Sequence, residues 1–272
     1  MSAARVETSG LGNRLVTVGA AKVPEITAIF WVVKLLSTAM GESTSDYLVF
    51  SIDPYVAVVA GSLGLVAALA VQLRWQRYSA QIYWLAVVMV AVFGTMVADV
   101  AHVVLHVPYV LSAGSLAVVL GLVFVAWYRT ERSLSIHTIT TPRRELFYWA
   151  TVMATFALGT ALGDLTAATV GLGYAGSIVL YAVAFVVPAI GWRWFGLNAV
   201  AAFWASYVVT RPLGASIADW LGKSSLGGLG FGDGRVAAVL AVVIIVVVAY
   251  LAIWRPEAPT ESIGRGPQQP PG

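Results

Sequence analysis

Aspartate recurs at one fixed register in four long apolar segments. Asp46, Asp99, Asp164 and Asp219 each stand fifteen residues after a tryptophan (Trp31, Trp84, Trp149, Trp204) and five after a glycine (Gly41, Gly94, Gly159, Gly214). An acid in an apolar segment is costly without a partner or a use, so four at one register mark a candidate cation site. The first segment is the densest. Lys34, Thr38, Glu42 and Asp46 are spaced by four and share one helix face. In the last segment Arg211 and Asp219 are eight apart, two turns on one side. Glu42 and the four aspartates stand against two fixed cations, Lys34 and Arg211, which leaves carboxylates uncompensated if all ionise. Either some hold protons, through repulsion and desolvation, or a cation sits among them. The expected ion-binding set is therefore Asp46, Asp99, Asp164, Asp219 and Glu42, with Lys34 and Arg211 compensating charge.

The second segment adds imidazole. Asp99, His102 and His106 are spaced for one face of a continuous helix, and Asp99 with His102 forms a candidate metal pair. Aspartate plus imidazole suits Mn²⁺, Zn²⁺ or Fe²⁺. Against this, His106 lies two residues before Pro108, and the third segment has Ala167 and Gly171 at the corresponding places. Pro212, directly after Arg211, is expected to kink or break its helix below the aspartate. The glycine-rich stretch 227–234 reads as a flexible loop, since it lacks the lysine and serine of a phosphate cradle. No elbow motif surrounds a serine, and with no cysteine in the chain there is no thiol chemistry. Basic residues are scattered among loops, so nucleic acid is not an expected partner.

The elements that carry these residues are membrane helices. The chain of 272 residues is 59% hydrophobic and 11% charged, against about a quarter charged in soluble domains. A bilayer core needs about 20 helical residues. Eight segments reach that length, roughly 24–45, 54–73, 82–104, 109–128, 146–166, 174–193, 197–220 and 236–254. The expected fold is an all-α integral membrane domain, residues 23–254, of eight transmembrane helices in four two-helix repeats. The repeats run about 23–75, 80–129, 145–194 and 197–254. Residues 1–22 form a polar N-terminal segment without a removable signal, and 255–272 a disordered, proline-rich tail.

Arg5, Arg14, Lys22, Arg74, Arg77, Arg129, Arg132, Arg143, Arg144, Arg193, Arg255 and Arg265 fall on one side, against Lys223 and Arg235 on the other. That bias places both termini in the cytoplasm. All motif helices then run outward as parallel repeats. Each tryptophan lies about 22 Å below its aspartate, at the inner interface, as an aromatic belt would. Ala60-Gly61-Ser62, Ala113-Gly114-Ser115 and Ala175-Gly176-Ser177 open three returning helices and allow close packing. Units one and four share Phe-Trp; units two and three share Tyr-Trp and Gly-Thr.

The chain resembles a bacterial family of uncharacterised membrane-anchored proteins built from a tandem repeat of unknown function. The resemblance rests on Lys22-Val-Pro-Glu25, Gly41-Glu42-Ser-Thr-Ser-Asp46-Tyr47-Leu48, Ala98-Asp99-Val-Ala-His102, Leu158-Gly159-Thr160-Ala-Leu-Gly163-Asp164 and Thr210-Arg211-Pro212-Leu-Gly214-Ala-Ser216. It implies a multi-pass protein of the inner, or plasma, membrane and no settled activity. Three function classes stay open. The acid excess and the fourfold register favour a cation transporter or channel, for a divalent transition metal before a proton or alkali ion. A membrane-embedded metal-dependent enzyme acting on lipid or envelope material would use Asp99 and His102. A sensor or structural protein would need no substrate.

Overall fold

The computed structural model describes residues 22–100, 102 and 105–254. The polar segment before Lys22 and the tail 255–272 lie outside the described residues, and Arg5, Arg14, Arg255 and Arg265 with them.

Among the described residues all regular structure is helical. The eight long helices are α1 (Ala28–Ser51), α2 (Pro54–Arg74), α3 (Ala80–Asp99), α4 (Tyr109–Glu131), α5 (Pro142–Asp164), α6 (Gly173–Phe195), α7 (Ala199–Gly222) and α8 (Asp233–Trp254). Side-chain caps start several of them. Asp53 accepts from the Tyr55 and Val56 amides ahead of Pro54, Asn198 from Val200 and Ala201, and Thr141 from Arg144 ahead of Pro142. Six helices, α2 to α6 and α8, are long and apolar enough to cross a membrane. The protein is thus a multi-pass helical membrane protein. Helices α1 and α7 fall outside that set because they carry Lys34, Glu42 and Asp46, and Arg211 and Asp219, respectively.

Burial sorts the helices into two rings. The apolar windows of α3 and α5 are 61% and 72% buried, whereas those of α2, α4, α6 and α8 are 28%, 22%, 11% and 17%. The outer helices expose rows of valine, leucine and isoleucine such as Val239, Val242, Ile245 and Val246, a surface suited to lipid. The inner ring is α1, α3, α5 and α7, packed in that order, with α7 closing against α1. Each returning helix packs mainly on the motif helix of the following unit: α2 on α3, α4 on α5, α6 on α7, and α8 back on α1. Every unit therefore covers its neighbour, and the last covers the first.

The motif glycines are the close-approach points of this ring. A Cβ at Gly41 would overlap Ala91, one at Gly94 would lie 2.6 Å from the Phe156 Cβ, one at Gly159 would overlap Arg211, and one at Gly214 would crowd Thr38. Each touched residue stands three before its own motif glycine. The four motif helices are consequently parallel and in one register, which repeats around a pseudo-fourfold axis.

Two sequence expectations are corrected. Helix α7 is not broken at Pro212 but runs unbroken from Ala199 to Gly222. The proline ring packs where Gly159 of α5 has no side chain, and neighbours on both sides hold the helix together. Nor do the motif tryptophans form an interfacial belt. Trp84, Trp149 and Trp204 are buried, and Trp31 is half-buried. They pack edge-on against Phe30, Tyr83, Tyr148 and Phe203 in one aromatic cluster that seals the tryptophan end of the ring. Around that end the loops are tied down: Lys22 pairs with Glu145 at 2.7 Å, Gln72 donates to Glu145 at 2.9 Å, and Glu131 accepts from Arg143 and Arg144.

Candidate functional site

The four-residue spacing noted in α1 holds in all four motif helices and stacks their side chains in five layers along the axis. From the tryptophan end these are Phe30, Tyr83, Tyr148 and Phe203; Lys34, Val87, Val152 and Tyr207; Thr38, Ala91, Phe156 and Arg211; Glu42, Thr95, Thr160 and Ala215; and Asp46, Asp99, Asp164 and Asp219. The lower four layers are buried throughout, and only the aspartate layer opens, with Asp99 and Asp164 half-buried. Access to the axis is therefore from the aspartate end.

Arg211 locks the fourth layer. Its side chain crosses the gap left by Gly159, and its Nη2 sits 2.7 Å from Glu42 Oε2. The same nitrogen donates to the Thr160 hydroxyl at 2.6 Å and, over a very short contact, to Thr95. Nε and Nη1 donate to the carbonyls of Phe156 and Thr38, both at 3.3 Å. Thr95 and Thr160 in turn donate to Glu42 Oε2. One guanidinium thus joins all four units, with its charge paired and each of its three nitrogens donating. The role expected of Arg211 has a named partner here.

The aspartate layer divides in two. Lys223, the residue after α7, places its Nζ 2.7 Å from Asp219 Oδ1 and 2.9 Å from Asp46 Oδ2. Carboxylate oxygens of Glu42, Asp46 and Asp219 all lie within 4.8 Å of one another. Asp99 and Asp164 make no ion pair among the described residues, though both lie within electrostatic reach of this trio. Burial works against the Lys223 charge, but Asp219, Asp46 and Glu42 outweigh it and hold its pKa above the ordinary lysine value. A raised lysine pKa means a stabilising contribution fully present below the unfolded value and lost only as pH rises through the folded one. The lock is therefore intact at neutral pH.

Lys223 was missed as a site residue because its place in an outer loop reads as solvent-exposed; its four-residue spacing from Asp219 was the available signal. The following glycine-rich stretch is not loose. It folds back so that Leu229, Gly230, Phe231 and Gly232 donate backbone amides to the carbonyls of Trp220, Lys223, Leu221 and Gly222. These bonds satisfy the last carbonyls of α7 and hold Lys223 over the acids. Gly230 and Gly232, at φ +71° and +88°, make the reversal possible.

Of the histidines, His102 lies in the turn that follows α3 and His106 in the loop beyond it. The α-helical turns of α3 end at Asp99, but the chain winds on through His102 as a wider turn in which Leu105 donates its amide to the Val100 carbonyl; His106 takes φ +54° in the loop and so leaves the helix that carries Asp99. His102 bonds through Nδ1 with the Val107 carbonyl at 2.9 Å and stacks on Tyr109 at 3.5 Å. Lys34, expected to compensate an acid, has no carboxylate within ion-pair distance among the described residues; its Nζ lies 3.9 Å from the Phe156 ring centroid and 4.4 Å from that of Tyr207.

A closed ring of four two-helix units around a polar axis, wrapped in apolar helices, defines a repeat-built membrane protein. The chain belongs to the family described as Repeat of Unknown Function (DUF347), whose model matches it four times, at residues 29–78, 82–133, 147–197 and 202–255. No curated protein and no solved structure matches it.

Proposed function

We propose that this protein is a membrane transporter or channel for a cation, taken up at the aspartate end by Glu42, Asp46 and Asp219. The single observation behind this reading is that two of the three, Asp46 and Asp219, already hold a cation, the Lys223 ammonium, with a Glu42 oxygen close by, at the open end of an axis sealed below by the Arg211–Glu42 lock. Lys223 is then a tethered competitor that an entering ion displaces. Asp99 and Asp164, half-buried in the same layer and free of ion pairs among the described residues, supply further carboxylates at the mouth. An all-oxygen donor set suits Mn²⁺ better than Zn²⁺ or Fe²⁺, which favour imidazole or sulfur.

In this reading all eight long helices span the membrane. The polar helices α1 and α7 are shielded from lipid by the outer ring, because a charge at the bilayer centre costs about 3 kcal/mol or more. Both termini face the cytoplasm of a cell whose plasma membrane holds the protein, and the aspartate end faces out.

Calorimetry with Mn²⁺ on detergent-solubilised protein tests the site. Wild type should bind weakly, Lys223→Met about tenfold more tightly (about 1.4 kcal/mol), and the double variant Asp46→Asn, Asp219→Asn not at all. If none of the three binds Mn²⁺, the ion pairs are a packing lock and the transport reading is dropped.

A further inference from the structure

Lys34 is the charged group on the axis that the cation site leaves unused. Its Nζ is fully shielded from solvent and has no hydrogen-bond partner among the described residues. The rings of Phe156 and Tyr207 flank it, and the Arg211 guanidinium carbon lies 5.1 Å from the same Phe156 ring. Other ionisable groups on the inner ring near its level are Tyr148 of α5 and Tyr83 of α3, one layer below, and Glu42 two turns above on its own helix. Helices α2 and α8, outside α1, carry theirs towards their ends: Tyr55, Arg74, Asp233, Arg235 and Tyr250.

Ring faces attract an ammonium but cannot accept its three hydrogen bonds, and a fixed guanidinium shares one of those rings. The rings hold the ammonium while the carboxylates are free of a cation, and because a neutral amine fits the same place at much lower desolvation cost, the ammonium gives up its proton readily. Hydroxyls lie beside and beneath it: Tyr207 in the same layer, whose oxygen makes no hydrogen bond among the described residues, and one layer below Tyr83 and Tyr148, whose oxygens are 2.5 Å apart.

Resting on the cation-site reading, we propose that Lys34 is a proton-carrying site coupled to that site, so that cation entry and proton release exchange for one another. When a cation reaches the carboxylates, the Lys34 ammonium loses one proton and becomes an amine. The proton is passed on by the tyrosine hydroxyls, each accepting one proton as it gives up its own, and is finally taken up by bulk water. When the cation leaves, the amine takes a proton back. Glu42 stands eight residues from Lys34, about 12 Å along the helix. One added charge at that distance, in a medium of effective dielectric about 20, changes the proton affinity of the amine about tenfold.

The test is calorimetric titration of the full chain with Mn²⁺ in buffers of different ionisation enthalpy, which counts protons released per ion bound. Wild type should release more protons per Mn²⁺ than Lys34→Arg, by up to about half a proton at the most favourable pH, while Mn²⁺ affinity changes less than about threefold; both bounds are set by the weak coupling above. Equal proton counts in the two proteins overturn the coupling. A wild type that binds no Mn²⁺ overturns the cation site and the coupling together. Lys34 itself is read separately by NMR of ¹³C-labelled lysine, since the chain has only Lys22, Lys34 and Lys223. The signal lost in Lys34→Arg should shift when Mn²⁺ is added at fixed pH, as that of a lysine that keeps its proton would not. A signal that does not move while Mn²⁺ binds overturns Lys34 as a proton carrier.

Discussion

The Glu42–Arg211 pair shows why single residues on this axis cannot be exchanged freely. Both side chains are almost wholly buried, at 2% and 0% exposure. Removing one partner strands the other charge in a low-dielectric interior, whereas removing both costs far less. Glu42→Gln should therefore lower stability by about 3–5 kcal/mol. Combining Glu42→Leu with Arg211→Met should recover a large part of that loss. Thermal unfolding of the purified variants in detergent checks this: if the double variant is as unstable as the two single losses added together, the pair is not an isolated charge lock. The residue after each motif glycine could have hinted at the lock, since Glu42, Thr95 and Thr160 occupy that one position. That Arg211 is the group they meet was not legible, because it comes from a different position of the fourth unit.

At the scale of elements, the motif glycines are contacts before they are anything else. Gly94 lies against Phe156, whereas Gly114 in the outer helix α4 has open space where a Cβ would go. Gly94→Ala should cost about 1–3 kcal/mol by overpacking α3 against α5. Gly114→Ala should be neutral or stabilising by about 0.5–1 kcal/mol, from helix propensity alone. A melting comparison of these two variants in one detergent separates ring packing from a general intolerance of change. The helices were legible as elements, since length, apolar content and caps are local properties. Their layering was not. The expectation of an aromatic belt failed because interfacial anchoring and burial between helices draw on the same residue type, and only packing distinguishes them.

At the scale of the whole molecule, packing of α7 and α8 on α1 closes the four units into a ring. The proposed orientation has a direct check, because the chain contains no cysteine and single-cysteine variants need no background removal. His137, exposed at the tryptophan end, and Ser224, exposed in the loop after α7, are suitable positions. With an impermeant maleimide on intact cells, Ser224→Cys should be labelled and His137→Cys should react only after lysis. The reverse pattern would put the carboxylates on the cytoplasmic side and invert the direction of the proposed pathway.

The sequence by itself determined the repeat, the helices and the column of Lys34, Thr38, Glu42 and Asp46, because a spacing of four residues on one helix is local geometry. Only the tertiary structure decided which charges meet. Glu42 and Arg211 are 169 residues apart, and they pair because the last motif helix returns to the first. Lys223 reaches Asp46 for the same reason, once the loop after α7 has folded back. The four aspartates, equal in register, become unequal because closure brings a lysine to two of them and not to the others. A partner across a closed ring depends on how helices pack, and no pattern along one helix carries that information.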